Sequence, residues 1–250
     1  MRILVTNDDG VESDGLWALA RRVRDAGHQV VVAAPQQDMT GMGSAIGGDL
    51  AHGEIAAPAH ERADLDAPCF AVDGPPALCV MLAQLGAFGD PFSVVVSGVN
   101  PGLNCGRSTL HSGTVGAAMT AANNGAHGLA FSLDVDGNPP HWDTATALAP
   151  ELIERVAGID RGRRVVNVNV PNLAQGEVTG VEITSLAKWG DAAGELVEIA
   201  PGRFDFVRRP GARQPVAGTD HAAVRGGAIA ISELVGYRVQ QTDLDLSGLD

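Results

Sequence analysis

Residues 1–10 read MRILVTNDDG. Ile3, Leu4 and Val5 form an apolar run too short for a helix and suited to a strand buried on both faces of a parallel sheet. The run stops abruptly at Asn7, Asp8, Asp9 and Gly10. Two adjacent carboxylates at a strand's carboxyl end each raise the other's pKa, and a nearby cation removes that conflict. In open α/β sheets the carboxyl edge is where ligands sit. The expectation is that Asp8 and Asp9 hold a divalent metal ion at the mouth of a parallel sheet. Asp and Gly are also ordinary turn formers, and Asp can cap a following helix, so the tetrad alone allows a plain turn as well.

The next segments extend the sheet. Leu16, Leu19, Ala20 and Val23 recur at helical spacing with Arg21, Arg22 and Arg24 on another face, and Gly27 is a suitable stop. Residues 29–34 (QVVVAA) read as a second buried strand closed by Pro35, completing a right-handed βαβ unit. The first turn lacks Gly-x-Gly-x-x-Gly, which disfavours a nicotinamide cofactor. The small-residue connector 35–48 follows on the same edge as Asp8 and Asp9. Residues 49–68 are weakly patterned. Residues 70–73 suit a short strand, and a helix is expected after Pro75 and Pro76.

Residues 92–97 (FSVVVS) read as the next buried strand, running into a Gly- and Asn-rich loop at 98–106. Asn carbonyls ligate hard cations, although an Asn in such a loop is also a common turn residue. A helix of small residues is expected over 116–123, capped by Ser112 or Thr114, with backbone N–H groups suited to a phosphate. His111 beside it is open to roles as acid, base or surface side chain. Strands at 129–133 and 164–170, and a helix at 145–156 kinked or restarted by Pro150, complete five or six βα units. From Val178 the rhythm turns to period two in VEITSLAKW, ELVEIA and RFDFVRR, which is hairpin patterning. A polar turn at 218–221, a final strand at 228–231 and a short, mobile acidic tail close the chain.

The fold class expected is therefore α/β: a Rossmann-like, doubly wound, mostly parallel sheet in three αβα layers, with a β-hairpin extension near the carboxyl end. Residues 1–250 form one domain, with its core at about 1–174 and 216–235 and an extension at about 175–215 used in oligomer contacts. The chain carries 17 Lys and Arg against 30 Asp and Glu, a net charge of −13. That balance argues against a broad nucleic-acid or anionic-membrane surface, but a bound metal can reverse the sign locally. Three cysteines without metal-ligand spacing argue against a disulfide framework. With no signal-peptide pattern and no apolar run near the ~20 residues needed to cross a bilayer, a reducing cytoplasm is the expected location.

Taken together and in order, NDDG at 7–10, TG at 40–41, SGVNPGLNCG at 97–106, HSGTVGAAM at 111–119, NVNVP at 167–171 and GTDHAAV at 218–224 resemble the stationary-phase survival protein SurE family. The resemblance implies a metal-dependent 5′(3′)-nucleotidase of Rossmann-like fold that hydrolyses nucleoside monophosphates, assembled as a homodimer or homotetramer through its hairpin. It implies one divalent ion per subunit, Mg²⁺ or Mn²⁺, held by Asp8, Asp9, Thr40 and Asn100. Hard oxygen donors favour those metals independently. Asp8, Asp9, Asn100 and Ser112 become the catalytic candidates. Asn7, Gly41, Ser44, Asn104, Ser112, Gly113 and Thr114 become the phosphate- or substrate-binding candidates. Either carboxylate can be ligand or base at this stage.

The chain departs from the family pattern in three places. Gln37 and Met39 stand where the family has two Arg, and Asp38 adds negative charge. Residues 74–79 (GPPALC) lack the family's Thr and Asp, and His111 replaces a frequent Tyr. Losing two cations weakens attraction to a phosphate. Phosphatase chemistry is thus better supported than nucleotide preference. A specialised phosphatase for another phosphorylated metabolite and a non-catalytic ligand-binding relative stand as alternatives. A receiver-like signalling domain is disfavoured, since the chain is too long and its other loops suit a substrate.

Overall fold

The computed structural model describes residues 1–47, 53–135, 137–188, 192–210 and 215–235. The acidic tail, Gly48 of the connector, residues 49–52 of the weakly patterned segment and Trp189 lie outside them.

The main sheet has eight strands. Six are parallel: β1 (Arg2–Thr6), β2 (Gln29–Pro35), β3 (Cys69–Val72), β4 (Val94–Pro101), β5 (His127–Leu133) and β6 (Val165–Val170), in the order β3-β2-β1-β4-β5-β6. This is the doubly wound order, which reverses between β1 and β4. The two strands are in register, with Leu4 opposite Val95 and Thr6 opposite Ser97.

Alternation along β1 explains the three layers. Ile3 and Val5 pack on one face with Leu16, Leu19 and Val23 of α1 (Asp14–Asp25). Leu4 packs on the other with Cys79 and Val80 of α2 (Pro76–Gln84) and with Ala117 and Ala121 of α3 (Gly113–Asn123). Side chains on a strand point alternately to opposite faces, so a continuous apolar run requires cover on both. Each of these fully buried Leu, Ile and Val side chains contributes about 1.5–3 kcal/mol relative to exposure.

Local readings are revised or made specific in five places. β4 continues past Ser97 to Pro101, because its pairing with β5 breaks register between Ser97 and Asn100 and then resumes. Asn100 therefore sits on a strand end rather than in a free loop. The loop beyond it contains a 3₁₀ turn over Gly106–His111. The helix around Pro150 is two helices, α4 (Trp142–Thr146) and α5 (Ala149–Ala157), with Pro150 in the first turn of the second, where its missing N–H costs nothing. The segment at β7 (Gly180–Ile183), expected in the extension, pairs in parallel with a later strand and closes the edge of the main sheet. Residues 218–221 are a helix start. Thr219 caps α6 (Asp220–Arg225) by accepting from Ala222 N at 3.4 Å.

The expected hairpin is present as β8 (Ala192–Ala200) paired antiparallel with β9 (Arg203–Pro210), a two-stranded sheet separate from the main one. The last strand, β10 (Ala228–Leu234), inserts antiparallel to β6 and parallel to β7. No helix among the described residues is long and apolar enough to cross a membrane.

Candidate active site at the sheet switch point

The carboxyl ends of β1 and β4 open into the crevice where the strand order reverses. Asp8, just past β1, is 2% exposed. Its Oδ1 accepts a hydrogen bond from Thr114 Oγ1 at 2.5 Å, and its Oδ2 accepts one from Gly113 N at 3.1 Å. A side chain at Gly113 would place its Cβ 2.7 Å from Asp8 Cβ, so only glycine lets α3 approach this closely. Burial raises the Asp8 pKa, while the bonds from Thr114 and Gly113 oppose that rise.

Ser112 is the N-cap of α3 and accepts from Val115 N at 3.1 Å. The expected donors for a phosphate at this helix start are thus taken up differently. Gly113 serves Asp8, Val115 serves Ser112 Oγ, and Gly116 donates to Ser112 O at 2.9 Å. The helix N-terminus, with its partial positive charge, holds a carboxylate of the chain itself.

Asp9 is placed differently. Its buried Oδ2 has no hydrogen-bond partner among the described residues. Burial, reinforced by the charges of Asp8 and Asp38, pushes its pKa up to about 7. A buried carboxylate oxygen without a donor is costly, and a cation satisfies it.

The loop after β2 returns to this point, since Met39 N donates to Asp8 O at 2.7 Å. Thr40 follows, and its hydroxyl donates to Asp38 Oδ1 at 2.5 Å, leaving oxygen lone pairs for another partner. Across the crevice Asn100 Nδ2 donates to Gly102 O at 2.6 Å, so its amide oxygen is the end available to a cation.

These groups share one cavity of about 540 Å³. Asp8, Asp9, Thr40, Gly41, Asn100, Asn104, His111 and Ser112 all line it, and so do Asp134 and Phe206, which the sequence reading did not single out. The volume lies within the ~300–1,000 Å³ usual for small-molecule sites. Gly113 and Thr114 lie behind the wall, touching Asp8. Asn7 is fully buried and braces the turn, donating to Gly10 O at 3.0 Å. Ser44 does not reach the crevice; it lines a separate groove with Met119 and Arg164. Gln37 and Met39, at the places of the family's Arg residues, are not in the lining. A further concavity of about 560 Å³ is formed by residues 59–63 and 67–70 and contains none of these groups.

Among the described residues the lining holds three carboxylates, of Asp8, Asp9 and Asp134, and no Lys or Arg. A phosphate dianion is repelled from such a surface unless a cation sits between. Among the described residues no group of three or more His, Cys, Asp or Glu is placed to hold a metal. A cation at the acidic pair would complete its shell with neutral oxygens such as Thr40 Oγ1 and the Asn100 amide, a donor set that suits hard divalent ions. The residues present therefore fit such an ion.

Beneath the 100–106 loop lies a polar network that the sequence reading missed. Asn167 and Asn169 of β6 are fully buried. Their Nδ2 atoms donate to Asn104 O at 2.8 and 3.1 Å, and Asn169 Oδ1 accepts from Asn104 N at 2.8 Å. Asn104 Nδ2 then donates to Ser132 Oγ at 2.8 Å. Asp220, also fully buried, accepts from Gly106 N at 2.7 Å and from Ala187 N at 2.8 Å. The visible signal was two Asn alternating inside an apolar strand, since buried polar groups must be bonded to something.

Fold and site define a doubly wound α/β protein with a cluster of oxygen donors, fit for a hard divalent ion, at its topological switch point. The family model described as Survival protein SurE matches residues 3–192, and the chain belongs to that family. It is 38% identical over 239 residues, 94% of this chain and 89% of the relative, to a protein named 5′-nucleotidase SurE from Xanthomonas euvesicatoria pv. vesicatoria (strain 85-10). It is 37% identical over 239 residues, at the same two shares, to one of the same name from Stenotrophomonas maltophilia (strain K279a). Its structure is similar to the crystal structure of the SurE protein from Aquifex aeolicus, with a TM-score of 0.75, 27% identity, and coverage of 94% of this chain and 93% of that one.

Proposed function

We propose that the protein is a divalent-metal-dependent phosphomonoesterase that hydrolyses nucleoside 5′(3′)-monophosphates to nucleoside and phosphate. The observation that carries this reading is a cavity lined, among the described residues, by three carboxylates and no Lys or Arg, with one carboxylate oxygen of Asp9 buried and without a partner among those residues. The names of the relatives, 5′-nucleotidase SurE, agree with it. Asp8, Asp9, Thr40 and Asn100 hold one Mg²⁺ or Mn²⁺ ion. When bound, that ion polarises the phosphoryl oxygens and lowers the pKa of a coordinated water.

The chain's own residues do the rest. Thr114 and the start of α3 fix the Asp8 carboxylate in one orientation. Asp9, whose Oδ2 has no other partner among the described residues, is placed to take the proton of the attacking water. The Ser112 hydroxyl, whose oxygen already accepts from Val115 N, has its own proton to donate to the phosphoryl group. Asn104 shapes the wall opposite.

A specialised phosphatase for another phosphorylated metabolite is favoured by one observation, the absence of any Arg among the described lining residues. We place the protein in a reducing cytoplasm, consistent with three buried cysteines outside any disulfide. We read it as a homodimer or homotetramer, on the exposed apolar side chains of the hairpin.

The purified protein should release phosphate from AMP and p-nitrophenyl phosphate with Mg²⁺ or Mn²⁺ and lose that activity in excess chelator. Asp8→Asn should lower kcat by about 100-fold or more. Turnover unchanged in chelator would defeat the metal site. Ligand-induced thermal stabilisation without hydrolysis of any ester would instead identify a non-catalytic relative.

A further inference from the structure

We infer that Phe206 is the stacking platform for the aromatic end of the substrate, the nucleobase of a nucleoside monophosphate. This rests on the phosphomonoesterase reading and gives a role to a lining residue that the reading leaves without one.

Phe206 belongs to β9, outside the main sheet, yet it lines the same cavity as Asp8, Asp9, Asn100 and Ser112. It is 60% exposed, so its ring lacks the cover that aromatic side chains normally receive. Cross-strand pairing sets it directly opposite Leu196, with Phe204 two residues along on the same face. Besides Phe206, the described lining consists of the oxygen donors named above, other short or polar side chains, and Leu103. The cavity thus joins two characters: oxygen donors for a cation and a phosphoryl group, and apolar surface that includes the Phe206 ring.

A ligand matching both characters carries a phosphate and a planar apolar group. Stacking on a single ring uses the π-face that all bases share, so it predicts tolerance among bases, with purines ahead of pyrimidines through their larger overlap. It also supplies ligand attraction without a cation, which suits a chain lacking the Arg pair.

The test compares the wild-type protein, Phe206→Ala and Phe206→Trp on AMP and on ribose 5-phosphate with Mn²⁺, alongside calorimetric titration with adenosine. Phe206→Ala should lower kcat/KM for AMP about tenfold through KM and weaken adenosine binding by about the same factor. It should leave ribose 5-phosphate unchanged. Phe206→Trp should retain AMP turnover and adenosine binding. An equal fall for both esters, as expected if Phe206 served only assembly or folding, overturns the proposal, and so does no change for either. If wild-type protein cleaves no ester, the hydrolase reading fails, and adenosine binding lost in Phe206→Ala but kept in Phe206→Trp still supports the aromatic platform. Cleavage of both esters with adenosine binding indifferent to Phe206 leaves the hydrolase standing and removes the platform.

Discussion

Two neighbouring aspartates meet opposite fates within one turn of chain. Asp8 is satisfied by a hydroxyl and a helix N-terminus, whereas Asp9 is left with an unpartnered oxygen. The raised pKa of Asp9 has a thermodynamic consequence for the metal-free protein. Its folded value of about 7 lies above the ordinary 3.8, so between those values the folded state holds a proton that the unfolded state has lost. Stability then falls as pH rises from about 4 to 7 and levels off above, the reverse of a salt-bridged carboxylate. In chelator, Asp9→Asn should therefore raise Tm more at pH 8 than at pH 5. Added Mg²⁺ or Mn²⁺ should stabilise the wild type at pH 8 and not the variant. Thermal melts at the two pH values check both. A Tm difference between variant and wild type independent of pH would show that Asp9 is not held as described.

At the scale of elements, β6 does more than fill the core. Its alternating Asn167 and Asn169 grip Asn104 and so set the loop that follows Asn100. Asn169→Ala leaves the Asn104 N–H without its acceptor in a buried place, a loss of about 1–3 kcal/mol and a Tm lower by roughly 2–10 °C. Because the loop leads directly from Asn100, a metal-ligand candidate at the end of β4, the metal concentration for half-maximal activity should also rise. Calorimetry and a Mn²⁺ titration measure the two effects. A fall in Tm without any change in metal requirement would confine these residues to the core. Sequence patterning recovered the strands and α3 because burial on both faces imposes apolar runs and a cap needs Ser or Thr. It misplaced β7 and overlooked α6. Four alternating residues read alike in a hairpin and at a sheet edge, and a six-residue helix has too few turns to show a period.

For the whole molecule the hairpin is the conspicuous surface. Leu196, Ile199 and Phe204 are 67%, 63% and 60% exposed. An isolated two-stranded sheet is marginally stable in water, so these exposed apolar side chains call for cover. Sedimentation should give a mass at least twice the 25.7 kDa chain, and Ile199→Asp with Phe204→Asp should reduce it to one chain. A wild-type monomer, or a double variant of unchanged mass, would refute assembly through the hairpin. The strong negative charge adds repulsion between copies, so assembly should tighten with added salt.

The sequence alone determined the doubly wound sheet, the acidic pair at its mouth and the order of motifs that marks the family, because each is written in local periodicity or in contiguous residues. Only the tertiary structure decided that Thr114 serves Asp8 rather than a phosphate, that Ser44 stands apart, that two asparagines of β6 hold the site loop and that Phe206 reaches the cavity. Those outcomes depend on which chain segments are brought together across some 60 to 200 residues, and spacing along a chain carries no record of such meetings.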